Sequence, residues 1–144
     1  MLNISLLALT LWGDILVGPF QVAEAQPKHH QVCTRAAMAP DGHFAVVWVD
    51  SLQLSDHFEM DMFIRFFDRD GNPMADPYKI ENIPELDWWI YCPRLKIDTA
   101  GNAVLIWVDP RTSSDKALSS IRFQRFGPDG SPYGPAQTLV SKTW

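Results

Sequence analysis

The chain has 144 residues, of which 47% are hydrophobic and 20% charged, an ordinary globular composition that excludes a disordered tail or a low-complexity linker. Its 17 acidic against 12 basic side chains leave a formal charge of −5, the opposite balance to a protein that lives on nucleic-acid phosphates. No apolar run of about 18 residues occurs, so no membrane-spanning helix is expected.

Two readings compete for residues 1–25. As a secretory signal, Leu6, Leu7, Ala8, Leu9, Leu11 and Trp12 supply the apolar run, and Ala23-Glu24-Ala25 has the small-x-small form of a cleavage site. Against this, no Lys or Arg precedes the run and Asp14 interrupts it. As part of the fold, the segment is the second half of a repeat unit, two strands long. At an offset of 58 residues Gly13 matches Gly71, Pro19 matches Pro77, Phe20 matches Tyr78 and Val22 matches Ile80. The internal repeat favours the folded reading.

That repeat is the most specific feature of the chain. At an offset of 59 residues and without gaps, Cys33 matches Cys92, Arg35 matches Arg94, and Gly42 matches Gly101. Trp48-Val49-Asp50 matches Trp107-Val108-Asp109, and Ser55-Asp56 matches Ser114-Asp115. Phe67 matches Phe126, and Asp70-Gly71-x-Pro73 matches Asp129-Gly130-x-Pro132. These are 12 identities over the 50 positions from Cys33 to Asn82, with conservative pairs such as Val47/Ile106 and Ile80/Leu139 between them.

Each unit reads as four short strands. The first covers about 31–38 and 91–97, and ends in a turn at Pro40-Asp41-Gly42 or Thr99-Ala100-Gly101, where glycine takes positive φ without a Cβ clash. The second, at 44–49 and 103–108, is apolar on both faces and is expected to be covered on both sides. The third alternates: Met60, Met62, Ile64 and Phe66 point one way, Asp61 and Arg65 the other. Asp70-Gly71 and Asp129-Gly130 make the next turn. The fourth strand, about 77–81 and 136–140, has neighbouring prolines that suit an edge. No stretch joins helical periodicity to a cap, so the expected class is all-β.

Tandem four-stranded antiparallel units are the signature of β-propeller blades. The stretch Gly101-Asn-Ala-Val-Leu-Ile-Trp-Val-Asp-Pro-Arg111, followed by Ile121-Arg-Phe-Gln-Arg-Phe126 and Asp129-Gly130, resembles a blade repeat of bacterial secreted and cell-surface β-propellers. The likeness covers residues 33–141. It implies two whole blades, 26–85 and 86–144, after the signal peptide or half blade at 1–25. It also implies a secreted, periplasmic or cell-surface location. The first unit departs from the pattern, with Ser51-Leu52 in place of Pro110-Arg111 and Arg65 in place of Gln124. Closed propellers use about four to eight blades. Two blades left unclosed would leave two broad apolar faces in water, which points to self-association or to a larger partner.

Cys33 and Cys92 fall at equivalent positions on the innermost strands. Such positions usually lie beyond the reach of a disulfide, so two buried packing thiols are the expectation and a disulfide the alternative. Arg35 and Arg94 are expected to pair with an acid such as Asp50 or Asp109 or to lie solvated; as a ligand site they would form an anion-binding rim. Trp-x-Asp at 48–50 and 107–109 is expected to seal the contact between blades. Asp87, Trp88 and Trp89, in the connection between blades, either cover a seam or stack on sugar rings. Asp68-x-Asp70-Gly71-Asn72 resembles the opening of a calcium loop, but the second unit carries Gly127 where the first has Asp68. A plain hairpin turn is the expectation there and calcium the alternative. His29, His30, His43 and His57 show no metal-ligand spacing.

No Gly-x-Ser-x-Gly, phosphate loop or dinucleotide fingerprint is present. The sialidase Asp-box pattern is also missing. The expectation is therefore a non-enzymatic propeller module acting in assembly or ligand binding. A glycan-binding lectin using Trp88, Trp89, Asp87, Arg35 and Arg94 is the alternative. A sialidase-like glycosidase resting on Asp56 and Asp115 is a remote third.

Overall fold

A computed structural model describes residues 20–55, 58–83, 92–109 and 119–142. Among these the chain is all-β, with eight strands and no helix. The first sheet runs β1 (His29–Met38), β2 (Phe44–Gln53), β3 (Phe58–Phe67) and β4 (Tyr78–Ile83). The second runs β5 (Arg94–Ile97), β6 (Ala103–Asp109), β7 (Ser119–Phe126) and β8 (Gln137–Lys142). Each is a four-stranded antiparallel meander whose spatial order is its chain order.

The 59-residue repeat is also a repeat of backbone detail. The register slips between Met62 and Phe63 in one sheet and between Ile121 and Arg122 in the other. The bridges Phe67–Pro73 and Phe126–Pro132 correspond in the same way. Gly42 and Gly101 close the first turn of each sheet at φ +96° and +85°, and Gly71 and Gly130 close the third at +84° and +83°. A side chain at any of these four positions would be strained.

The sheets stack face to face, and the period-two pattern decides which residues meet. Ala45, Val47 and Val49 of β2, with Met60, Met62, Ile64 and Phe66 of β3, pack against Leu95, Ala103, Leu105, Trp107 and Phe126 of the second sheet. The layer tapers. Alanines lie on and beside β1 and β5 (Ala37, Ala45, Ala103), while methionines and aromatics fill the space toward β3 and β7. Cys33 and Cys92 sit at the narrow edge and form a disulfide, with Cα atoms 5.0 Å apart. Stacked sheets normally run ~10 Å apart. The two sheets therefore converge along β1 and β5, and this overturns the expectation of two free packing thiols. The register of β1 breaks between Val32 and Arg35, and Cys33 adopts φ +55° in the break.

Double-sided cover of the second strand holds for β2 alone. Every residue from Phe44 to Val49 is buried. The second face of β2 lies under the N-terminal stretch, where Val22, with Phe20 and Ala23, packs on Phe44, Val46, Trp48 and Phe67. The corresponding strand β6 is buried on one face only: Ile106 is 36% exposed, and Val104 and Val108 are half-buried. Of the two apolar faces expected to meet water, one is covered and one is open. The cover on the first sheet comes from residues 20–23, and among the described residues none packs on the outer face of the second sheet in the same way.

Candidate functional site

The two units make their contacts in equivalent ways. Phe126 is fully buried between Phe66 and Tyr78, with ring centroids 5.7 Å from each. Its repeat counterpart Phe67 lies 5.4 Å from Phe20, the residue that matches Tyr78. Gln124 Nε2 donates to the Gly134 carbonyl at 3.0 Å and reaches the Tyr78 hydroxyl at 3.5 Å. At the matching position, Arg65 Nη1 donates to the Val22 carbonyl at 3.0 Å. Residues 20–22 thus occupy on the first sheet the place that Tyr78–Ile80 occupies on the second.

The tryptophans of the two Trp-x-Asp motifs are buried, Trp48 at 3% exposure and Trp107 at 5%. Trp48 stacks on Phe63, and the matching Trp107 lies under the Arg122 guanidinium. Of the two expectations for Arg35 and Arg94, pairing with the motif's aspartates or a solvated position, both side chains take the second and are exposed. Asp50 accepts from His29 Nδ1 at 3.0 Å, and Asp109 binds Arg122 at 3.2 Å. Each partner lies on the neighbouring strand two residues from the position opposite its aspartate, and so on the same sheet face, whereas Arg35 and Arg94 are exposed at the converging edge. Arg35 Nη1 donates to the Thr34 carbonyl at 2.7 Å. The disulfide brings their strands together two residues before each arginine. Asp87, Trp88 and Trp89 lie outside the described residues, as do Asp56 and Asp115.

The turns use their acids locally. Asp68 accepts from the Asp70 and Asn72 amides and from the Asn72 side chain at 2.8–2.9 Å. Asp98 does the same with Ala100 and Asn102, each at 2.9 Å. These are hairpin turns held by their own amides, and the Asp68 oxygens are committed to N–H donors. Among the described residues no three His, Cys, Asp or Glu side chains come together as a metal site. The Asn72 side chain, then the Asn72 amide, hold the Asp68 carboxyl below its ordinary value; Asn102 does this for Asp98 and Ser131 for Asp129. A depressed carboxylate stabilises the fold above the unfolded pKa and ceases to do so as pH falls through the folded value. Acid unfolding followed by circular dichroism should therefore lose stability below about pH 4. The loss over that range should be shallower in the double variant Asp68→Asn, Asp98→Asn.

The outer face of the second sheet carries exposed apolar side chains. The pairs Arg94/Ile106, Lys96/Val104, Val104/Arg125, Ile106/Phe123 and Val108/Ile121 are in cross-strand register and so share that face. Ile106, Ile121 and, on β8, Leu139 are 36%, 38% and 58% exposed. At the turn end of the face lies an open hollow of about 380 Å³, whose lining includes Lys96, Val104, Arg125 and Tyr133. Of this face the sequence singled out Arg94, as a candidate anion-binding residue, and the strand 103–108 as apolar on both sides, but not the other residues. Their signal lay in the repeat, because Val104, Ile106, Val108, Ile121 and Phe123 match Ala45, Val47, Val49, Met62 and Ile64, all buried between the sheets.

Comparison with protein-family models, curated proteins and solved structures finds no match to this chain. The disulfide is compatible with an oxidising, extracellular compartment.

Proposed function

We propose that this chain is a non-enzymatic stacking module of the β-propeller type, belonging to a secreted or cell-surface protein and acting in assembly or ligand binding. The observation that carries the reading is the repeated contact: residues 20–22 lie on the first sheet as Tyr78–Ile80 lies on the second. A sheet of this kind is completed from both sides, as in a ring of blades. The taper toward the disulfide supports the same geometry, because wedge-shaped pairs turn about their narrow edge. Function then resides in the surfaces left open, chiefly the outer face of the second sheet.

The test is direct. A fluorescent apolar probe such as anilinonaphthalene sulfonate should bind the oxidised chain. The double variant Ile106→Glu, Ile121→Glu should lose that binding with its thermal midpoint unchanged, since both side chains are exposed. An oxidised chain that stays monomeric and takes up no probe would overturn the reading.

The exposed arginines at the converging edge favour one further reading, binding of a glycan or other anionic ligand there by Arg35 and Arg94 with Asp87, Trp88 and Trp89. Glycan-array binding that the Arg35→Ala, Arg94→Ala variant loses would support it. A blank array with unmoved tryptophan fluorescence would remove it.

A further inference from the structure

We infer that the outer face of the second sheet docks the first sheet of a second copy of this chain, head to tail, and that residues 20–23 hold the place the neighbour would take. The inference rests on the stacking reading above and names its partner. The tail is the face bearing Val104, Ile106, Val108, Ile121 and Phe123. Its repeat counterpart on the first sheet is buried, and what buries it is the second sheet's face of Leu105, Trp107 and Phe126. A second copy carries the counterpart of that covering face as its head: Val46, Trp48 and Phe67. Both halves of the internal contact are therefore present on one chain, the condition for a heterologous assembly.

The hollow strengthens the match. On the first sheet, the positions equivalent to its lining are filled by the turns of the second sheet. Gly101 lies against His43, where a Cβ would come within 2.6 Å of Nε2, and Gly130 lies against Phe66, where a Cβ would come within 2.9 Å. His43 and Phe66 match Asn102 and Arg125, which line the open hollow on the second sheet. The head of a second copy offers the matching turns, with Gly42 and Gly71 at positive φ and, beside them, the exposed carboxylates of Asp41, which contacts His43, and Asp70, which lies 3.8 Å from the exposed Arg69. Those acids would enter a hollow lined by Lys96 and Arg125, whose own acid, Asp98, is held by the Ala100 and Asn102 amides and the Asn102 side chain.

The head is covered in the single chain. Phe20 and Val22 sit on Phe67 and Val46, with the Val22 carbonyl held by Arg65. Val22 matches Ile80, which in turn matches Leu139 of β8. A docked copy therefore brings its β8 to the place that residues 20–23 occupy, and association exchanges one cover for the other.

Native mass spectrometry and light scattering on the full oxidised chain, across a concentration series, test this. Arg65→Gln installs the residue that the second unit already carries and releases the Val22 carbonyl. It should bring association to a concentration at least about tenfold lower than wild type. Adding Ile106→Glu to it should abolish association. Arg125→Glu should weaken it, and Asp70→Lys should restore it, because the Gly71 turn meets Arg125 only head to tail, as the Gly130 turn meets Phe66 within the chain. Identical monomers for wild type and Arg65→Gln at every concentration would overturn the inference. So would a closed pair that Ile106→Glu breaks but Arg125→Glu and Arg65→Gln leave alone. Either result leaves the stacking reading standing if the apolar probe still binds, since a different partner would then cover the face.

Discussion

Removing the bond between Cys33 and Cys92 is expected to lower the unfolding free energy by about 4 kcal/mol, the loop-closure value for a bridge of this span. The bridge joins residues 59 apart and so closes one full repeat length into a loop. It also fastens β1 to β5 at the edge where the sheets converge, so its loss both frees the unfolded chain and unlatches the stack. The Cys33→Ser, Cys92→Ser variant, compared with wild type by urea unfolding with and without reductant, isolates the effect. Wild type should fall to the level of the variant when reduced, and the variant should not respond to reductant. A wild-type curve that reductant leaves unmoved would show that the bridge does not form in solution.

Truncation of Phe126 to alanine should cost about 3–5 kcal/mol, the range for emptying a fully buried aromatic site. Phe126 is 0% exposed and contacts a ring from each of two strands of the opposite sheet, Phe66 on β3 and Tyr78 on β4. The site cannot collapse easily, because both neighbours are anchored in hydrogen-bonded strands. Leu139→Ala, at 58% exposure on β8, should change stability by no more than about 0.5 kcal/mol. The denaturation midpoint should move for the first variant and hold for the second, with similar slopes. Comparable losses from both would mean that the outer face is already buried in solution, as it would be in a stable assembly. The contrast thus measures the internal contact and, through it, the state of the open face.

These expectations differ in how far they could be read without the fold. The eight strands follow from local rules. Alternation along Met60-Asp-Met-Phe-Ile-Arg-Phe66 sets one face against the other, and Asp-Gly pairs mark the turns. The 59-residue offset carried the correspondence of register, bulge and turn between the sheets, because equal sequences meet equal local constraints. The pairings of charged groups were not legible. Whether Asp50 meets His29 or Arg35 depends on which side of the bulge at Val32–Arg35 each falls, and the bulge has no marker in the residues themselves. The candidate surface was half legible. An apolar second strand announces that something must cover it, yet β2 and β6 read alike and only one is covered on both faces.

The residues alone determined the strands, their turns and the repetition of one packing surface, since each depends on neighbours a few positions away. The disulfide, the open outer face and the cover over Phe67 were decided by tertiary structure. They depend on the angle at which two sheets converge and on what lies at the two ends of a stack, and a repeated local pattern has no means of encoding its own ends.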